Sequence, residues 1–119
     1  MLVDDDKELV EELADSMIAG GFDVTACFDG ETALNMAPEI MPDVILLDLK
    51  LGKVNGFQVA AKLRQSQATS GIPVIAITGY YNPDEYYTLM KICGVKKCIT
   101  KPVSPEHIIT EIKNVLLNA

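Results

Sequence analysis

The chain has 119 residues, 49% hydrophobic and 23% charged, and 17 acidic against 10 basic residues give a net charge of −7. That length suits one domain burying about two-thirds of its unfolded surface, and the lack of a basic stripe argues against direct nucleic-acid binding through phosphates. No apolar run approaches the roughly 20 residues of a membrane span, no secretory signal is expected, and three cysteines without metal-ligand spacing point to reduced thiols in a cytoplasmic protein.

Strand-like and helix-like patterns alternate along the chain. Met1-Leu2-Val3 reads as a short first strand running into Asp4-Asp5-Asp6. A buried central strand usually has five or six residues, so a few are expected to be missing ahead of Met1. Leu9, Val10, Leu13, Ala14, Met17 and Ile18 recur with helical period, and Gly20-Gly21 closes that helix. Asp23 to Phe28 reads as the second strand, ended by the turn pair Asp29-Gly30. A second helix starts near Glu31, and Pro38 is expected to kink or end it early because proline gives up an intrahelical bond.

Val44 to Leu47 is apolar on both faces, as a central parallel strand covered by helices should be. A third helix spans Gly56 to Gln65, and Ile72 to Ile77 is the fourth strand. Asn82 caps a fourth helix, with Pro83 at its first position and Asp84 and Glu85 suited to the helix dipole, and Gly94 ends it. Lys96 to Thr100 is the fifth strand. Ser104-Pro105-Glu106 starts a last helix whose apolar face is Ile108, Ile109, Ile112, Val115 and Leu116. Cys27, Cys93 and Cys98 fall within apolar patterns and read as core filler. The class is α/β, one sheet with helices on both faces, because crossovers between parallel strands are right-handed.

The strand ends carry the chemistry. Asp4-Asp5-Asp6, Asp48, Thr78 and Lys101 each follow an apolar run, and open α/β sheets bind ligands outside the carboxyl ends of their strands. Carboxylates about 4 Å apart repel by roughly 4 kcal/mol at an effective dielectric of 20. Such a cluster needs a cation or raised pKa values. Carboxylate and carbonyl oxygens suit Mg²⁺, an aspartate beside it can take a phosphoryl group, and a lysine and a hydroxyl can pair with the phosphoryl oxygens.

The order Val3-Asp4-Asp5-Asp6, Pro42-Asp43-Val44-Ile45-Leu46-Leu47-Asp48 with Asn55-Gly56-Phe57, Ile72-Pro73-Val74-Ile75-Ala76-Ile77-Thr78 and Lys101-Pro102 closely resembles the receiver domain of two-component response regulators, over nearly the whole chain (1–119). The resemblance implies a flavodoxin-like, doubly wound five-stranded parallel sheet of order 2-1-3-4-5 with five helices. It implies that Asp48 is the phosphoacceptor, Asp5 a direct Mg²⁺ ligand, Asp4 an acid reaching the metal through water, and Lys50 a ligand through its backbone carbonyl. Thr78 would close on the phosphoryl group and Lys101 pair with it, with a cis Lys101-Pro102 bond. Implied partners are a sensor histidine kinase or histidine phosphotransfer protein and a downstream effector. The surface of helix 4, strand 5 and helix 5 would be the switch and a site for homodimers.

Three positions depart from the family pattern. Gly52 replaces a proline, which predicts a more mobile loop; Cys98 stands where an aromatic switch residue is usual; Val103 replaces a phenylalanine. Asp6 reads as a helix cap, His107 as exposed and structural. Tyr80, Tyr81, Tyr86 and Tyr87 crowd the fourth helix and suit an interface. No turnover of an external substrate is expected. A Mg²⁺-dependent phosphatase would want an Asp-x-Asp loop and a cap domain, and a flavin binder would not place three acids in its first loop. The remaining alternative is a degenerate receiver that binds partners without phosphorylation.

Overall fold

The computed structural model describes residues 1–51, 54–79 and 82–117. The apolar runs form β1 (Leu2–Val3), β2 (Ala26–Cys27), β3 (Ile45–Asp48), β4 (Val74–Thr78) and β5 (Lys97–Thr100). All pairs are parallel and their order is β2-β1-β3-β4-β5. Between them run α1 (Lys7–Ala19), α2 (Gly30–Ile40), α3 (Gly56–Gln65) and α4 (Pro83–Tyr87), and α5 (Pro105–Leu117) follows β5. The strand order reverses at β1, so the crevice for a ligand opens between the ends of β1 and β3.

The pleat of the sheet sorts the core into two layers. Val3, Ile45, Leu47 and Ala76 face a cluster with Ala33 and Val59 from α2 and α3, which Leu89 joins. Leu2, Leu46, Ile75 and Ile77 face the other way, against Leu13 of α1 and Ile108 of α5. This two-sided burial is why the strands read as unbroken apolar runs. Side chains cap the helix starts, those of Asp6 and Ser104 as the sequence suggested and those of Asp29 and Asn55 beyond it. Asp6 accepts from the Leu9 amide at 3.2 Å, Asp29 from Thr32 at 2.7 Å, and Ser104 Oγ from His107 at 3.1 Å. Asn55 and Gln58 form a reciprocal capping box.

Several expectations are corrected. The second strand is Ala26–Cys27 rather than Asp23 to Phe28, because β1 offers only Leu2 and Val3 as ladder partners. Pro38 does not end α2 early. It sits in the last turn, where its missing N–H costs one bond, and the helix runs on to Ile40 before Met41 turns left-handed at φ 52°. Ile18, assigned to the apolar face of α1, is exposed, as that face narrows to Val10, Leu13 and Met17. The fourth helix is not one α-helix to Gly94. It is α-helical through Tyr87 and becomes a π-helical turn over Thr88–Ile92. Gly52, Tyr80 and Tyr81 lie outside the described residues.

One glycine fixes the site's support. A Cβ on Gly56 would stand 2.5 Å from both the Asp48 carbonyl oxygen and the Leu49 Cα, and its amide donates to Leu49 O at 3.0 Å. Both obstacles are backbone and cannot swing aside. Gly56→Ala is expected to destabilise the protein by about 1–3 kcal/mol, read as a lower midpoint in urea denaturation with an unchanged slope.

Candidate phosphoacceptor site

Asp4 immediately follows β1, Asp48 is the last residue of β3, Thr78 the last of β4, and Lys101 follows β5. Parallel register does the rest: Asp48 lies opposite Ile77, and Thr78 opposite Thr100. The Lys101 amide donates to Thr78 O at 2.7 Å, and the Lys101-Pro102 bond is cis, as expected.

Asp4, Asp5 and Asp48 each present a carboxylate oxygen such that the three lie within 4.8 Å of one another. Asp4 and Asp48 are buried, at 1% and 4% exposure, whereas Asp5 is open to solvent. The Lys101 ammonium bridges the buried pair, 3.5 Å from Asp4 Oδ2 and 3.5 Å from Asp48 Oδ2. Backbone amides hold the other oxygens: Asp6 N–H donates to Asp4 Oδ1 at 3.0 Å, and Lys50 N–H to Asp48 Oδ1 at 3.2 Å. Asp6 caps α1, as its position suggested.

Burial pushes the Asp48 carboxyl up to about 6, and the neighbouring Asp4 charge adds to the rise, against the Lys50 amide and the Lys101 ammonium. Burial works to lower the Lys101 pKa, but the carboxylates of Asp48 and Asp4 outweigh it and the net shift is upward. The donor set fits a small hard cation. Oxygens about 2.1 Å from one ion stand about 3 Å apart when adjacent and about 4.2 Å when opposite, close to the span of these three carboxylates.

The structure therefore brings together Asp4, Asp5, Asp48 and Lys101. Thr78 ends the adjoining strand, and Lys50 reaches Asp48 through its amide. Cys98 is partly buried, and with Thr78, Leu49, Tyr86 and Leu89 it walls a cavity of about 10 Å³. Val103 packs against the α1–α5 layer. His107 is exposed, 3.7 Å from Glu111. The sequence reading missed the clamp on the loop after Asp48, where Leu49 N–H donates to Ile77 O at 3.0 Å and Leu49 O accepts from Gly56. Asn55-Gly56-Phe57 entered the sequence reading only as part of the family pattern. No helix among the described residues is long and apolar enough to cross a membrane.

A family model described as the response regulator receiver domain matches residues 1–113. The chain belongs to that family. It is a response regulator receiver domain of the two-component type. Curated relatives include the DNA-binding response regulator MtrA of Mycolicibacterium paratuberculosis, 33% identical over 95% of this chain and 48% of its own length. The alkaline phosphatase synthesis transcriptional regulatory protein PhoP of Bacillus subtilis is 32% identical over 98% of this chain and 47% of its own. The receiver thus spans about half the length of these relatives. Among solved structures, a response regulator from Desulfuromonas acetoxidans has a TM-score of 0.87 at 28% identity, covering 98% of this chain and 94% of that one. The chemotaxis protein CheY4 of Vibrio cholerae has the same fold, with a TM-score of 0.90 at 24% identity, covering 96% and 94%.

The raised Asp48 pKa has a stability consequence in the metal-free receiver. The fold favours the protonated carboxyl, so this group's contribution is fully present below about pH 4 and is lost as pH rises through about 6. Asp48→Asn removes the charge but keeps the shape. In EDTA at pH 7.5 it is expected to raise unfolding stability by about 1–3 kcal/mol, a gain that vanishes near pH 4. Denaturant titrations at the two pH values check this.

Proposed function

We propose that Asp48 accepts a phosphoryl group from the phospho-histidine of a sensor kinase or phosphotransfer protein, with Mg²⁺ as cofactor. The observation that carries this reading is the buried Asp48 carboxylate held between Asp4 and the Lys101 ammonium at the crevice between β1 and β3. Asp4, Asp5, Asp48 and the Lys50 carbonyl would hold the metal. When bound, it supplies the positive charge that lets carboxylates and phosphoryl oxygens share one pocket.

One Asp48 carboxylate oxygen attacks phosphorus, the P–N bond of the donor breaks with its electron pair left on the imidazole, and an acyl phosphate forms. Lys101 moves from pairing two carboxylates to pairing a phosphoryl oxygen. Thr78 supplies a hydroxyl at the end of the neighbouring strand. The modification adds about −1.5 to −2 charges and biases the face of α4, β5 and α5, where Tyr87 and Ile92 are exposed. That face is offered to a downstream effector or a second copy. The domain turns over no substrate besides its own acyl phosphate, and the relatives' DNA binding belongs to the part of their chains that this receiver does not span.

Incubation with acetyl phosphate, read by intact mass, tests the reading. A phosphoryl-sized gain is expected that requires both Mg²⁺ and Asp48 and is absent from Asp48→Asn. No gain, with Mg²⁺ shown to bind, overturns it in favour of a phosphorylation-independent interaction module. Lys101→Met is expected to slow the gain by about 10–100-fold, the value of one charged hydrogen bond.

A further inference from the structure

Away from the acidic edge, a cavity of about 310 Å³ opens between the end of α3 and the residues that lead into β5. Its floor is apolar: Leu63 of α3, Val74 at the start of β4 and Ile72 just before it. Val74 begins the strand that Thr78 ends, so the cavity lies at the opposite edge of the sheet from Asp48. Its volume falls at the small end of the roughly 300–1,000 Å³ of ligand pockets.

The guanidinium at its wall has no anion to match it. Arg64 stands in the last turn of α3, where the helix dipole favours a cation. That accounts for its charge but not for its position. The guanidinium packs against Gly94, in the place where a Cβ there would stand. Gly94 has φ 70°, a conformation glycine adopts without strain. Among the described residues no carboxylate pairs with Arg64; the ion pairs are those of Lys97, Lys101 and His107. Competitors are scarce in the sequence as well, since Asp84 and Glu85 are the only acids between Asp48 and Glu106. The Cys93 thiol beside Arg64 is no anion either: burial pushes it up by more than Arg64 lowers it. Thr69 Oγ1 is committed to Leu63 O at 2.7 Å, whereas Ser70 Oγ makes only a 3.5 Å contact with Gln67 O and can turn to a ligand at little cost.

We propose that this cavity binds a small organic carboxylate, Arg64 gripping its two oxygens and the apolar floor taking a short aliphatic stem. One guanidinium supplies one charge in a planar fork that matches a carboxylate. A second charge on the ligand would meet Leu63, Ile72 and Val74 and lose its hydration without gaining a partner. The bound acid would join α3 to Cys93 and Gly94 and stabilise the fold by mass action. The site shares no residue with the phosphoacceptor cluster and does not rest on phosphorylation of Asp48.

Titration of the full chain with hexanoate and with hexanamide, at constant pH and ionic strength, tests this by ¹H–¹⁵N NMR. Saturable shifts are expected with hexanoate at the amides of Arg64, Ser70, Cys93 and Gly94, and about tenfold weaker binding of the neutral amide. Arg64→Gln keeps a polar stem without the charge and is expected to weaken hexanoate about tenfold or more. Lys62→Gln removes an exposed cation of the same turn that does not line the cavity; it is expected to leave binding within about twofold. Asp48→Asn is expected to bind hexanoate as the wild type does. Equal binding of hexanamide reduces the cavity to an apolar crevice and overturns the proposal. So do equal losses in Arg64→Gln and Lys62→Gln, shifts confined to Asp4, Asp48 and Lys101, or no saturable shift up to roughly 50 mM.

Discussion

The structure turns on like charges forced together. Two buried carboxylates, Asp4 and Asp48, share one ammonium at 3.5 Å, with a third, solvent-exposed acid beside them. A buried charge without a partner is costly. The fold tolerates two only because β1 and β3 lie side by side, Lys101 crosses from the end of β5, and amides from Asp6 and Lys50 take the remaining oxygens. Lys101 is the cation that the ion pairs of the described residues set against these acids. That crowding of negative charge is what the proposed metal ion would relieve.

Much of this was legible in the sequence because each acid sits where a hydrophobic run stops. Val44 to Leu47 has no polar residue on either face, so it had to be central, and Asp48 had to emerge at its carboxyl end. The caps at Asp6, Asn82 and Ser104 were equally readable, since they act over two or three residues, whereas Asn55 was not read as one. Lys101 was placed by its proline neighbour and by the family pattern. Its simultaneous reach to Asp4 and Asp48, separated by 97 and 53 residues in sequence, is a product of strand order and could not be read locally.

What was not legible has a common cause. The short ladder of β2 is set by the length of β1, the exposure of Ile18 by how α1 lies on the sheet, and the survival of α2 past Pro38 by how near its end the proline falls. The π-helical turn is the strongest case. Thr88 to Ile92 has an ordinary helical composition, and nothing in its periodicity marks an extra residue. It lies between the Asn82 cap and the buried Leu89, Cys93 and Val95, whose anchoring belongs to the tertiary structure.

The division of the core into two apolar layers has a consequence for how such a chain can change. Among the described residues, the cluster around Val59 and Leu89 and the cluster around Leu13 and Ile108 are separate and take alternate residues of the same strands. Substitutions in helices on opposite sides that share no partner add rather than couple. Lineages can therefore rework the α1–α5 side to suit one partner and the α2–α4 side to suit another, each without renegotiating the other. The acidic edge is the exception: Asp4 and Asp48 cap strands that serve both layers, so it is there that the two histories must stay in agreement.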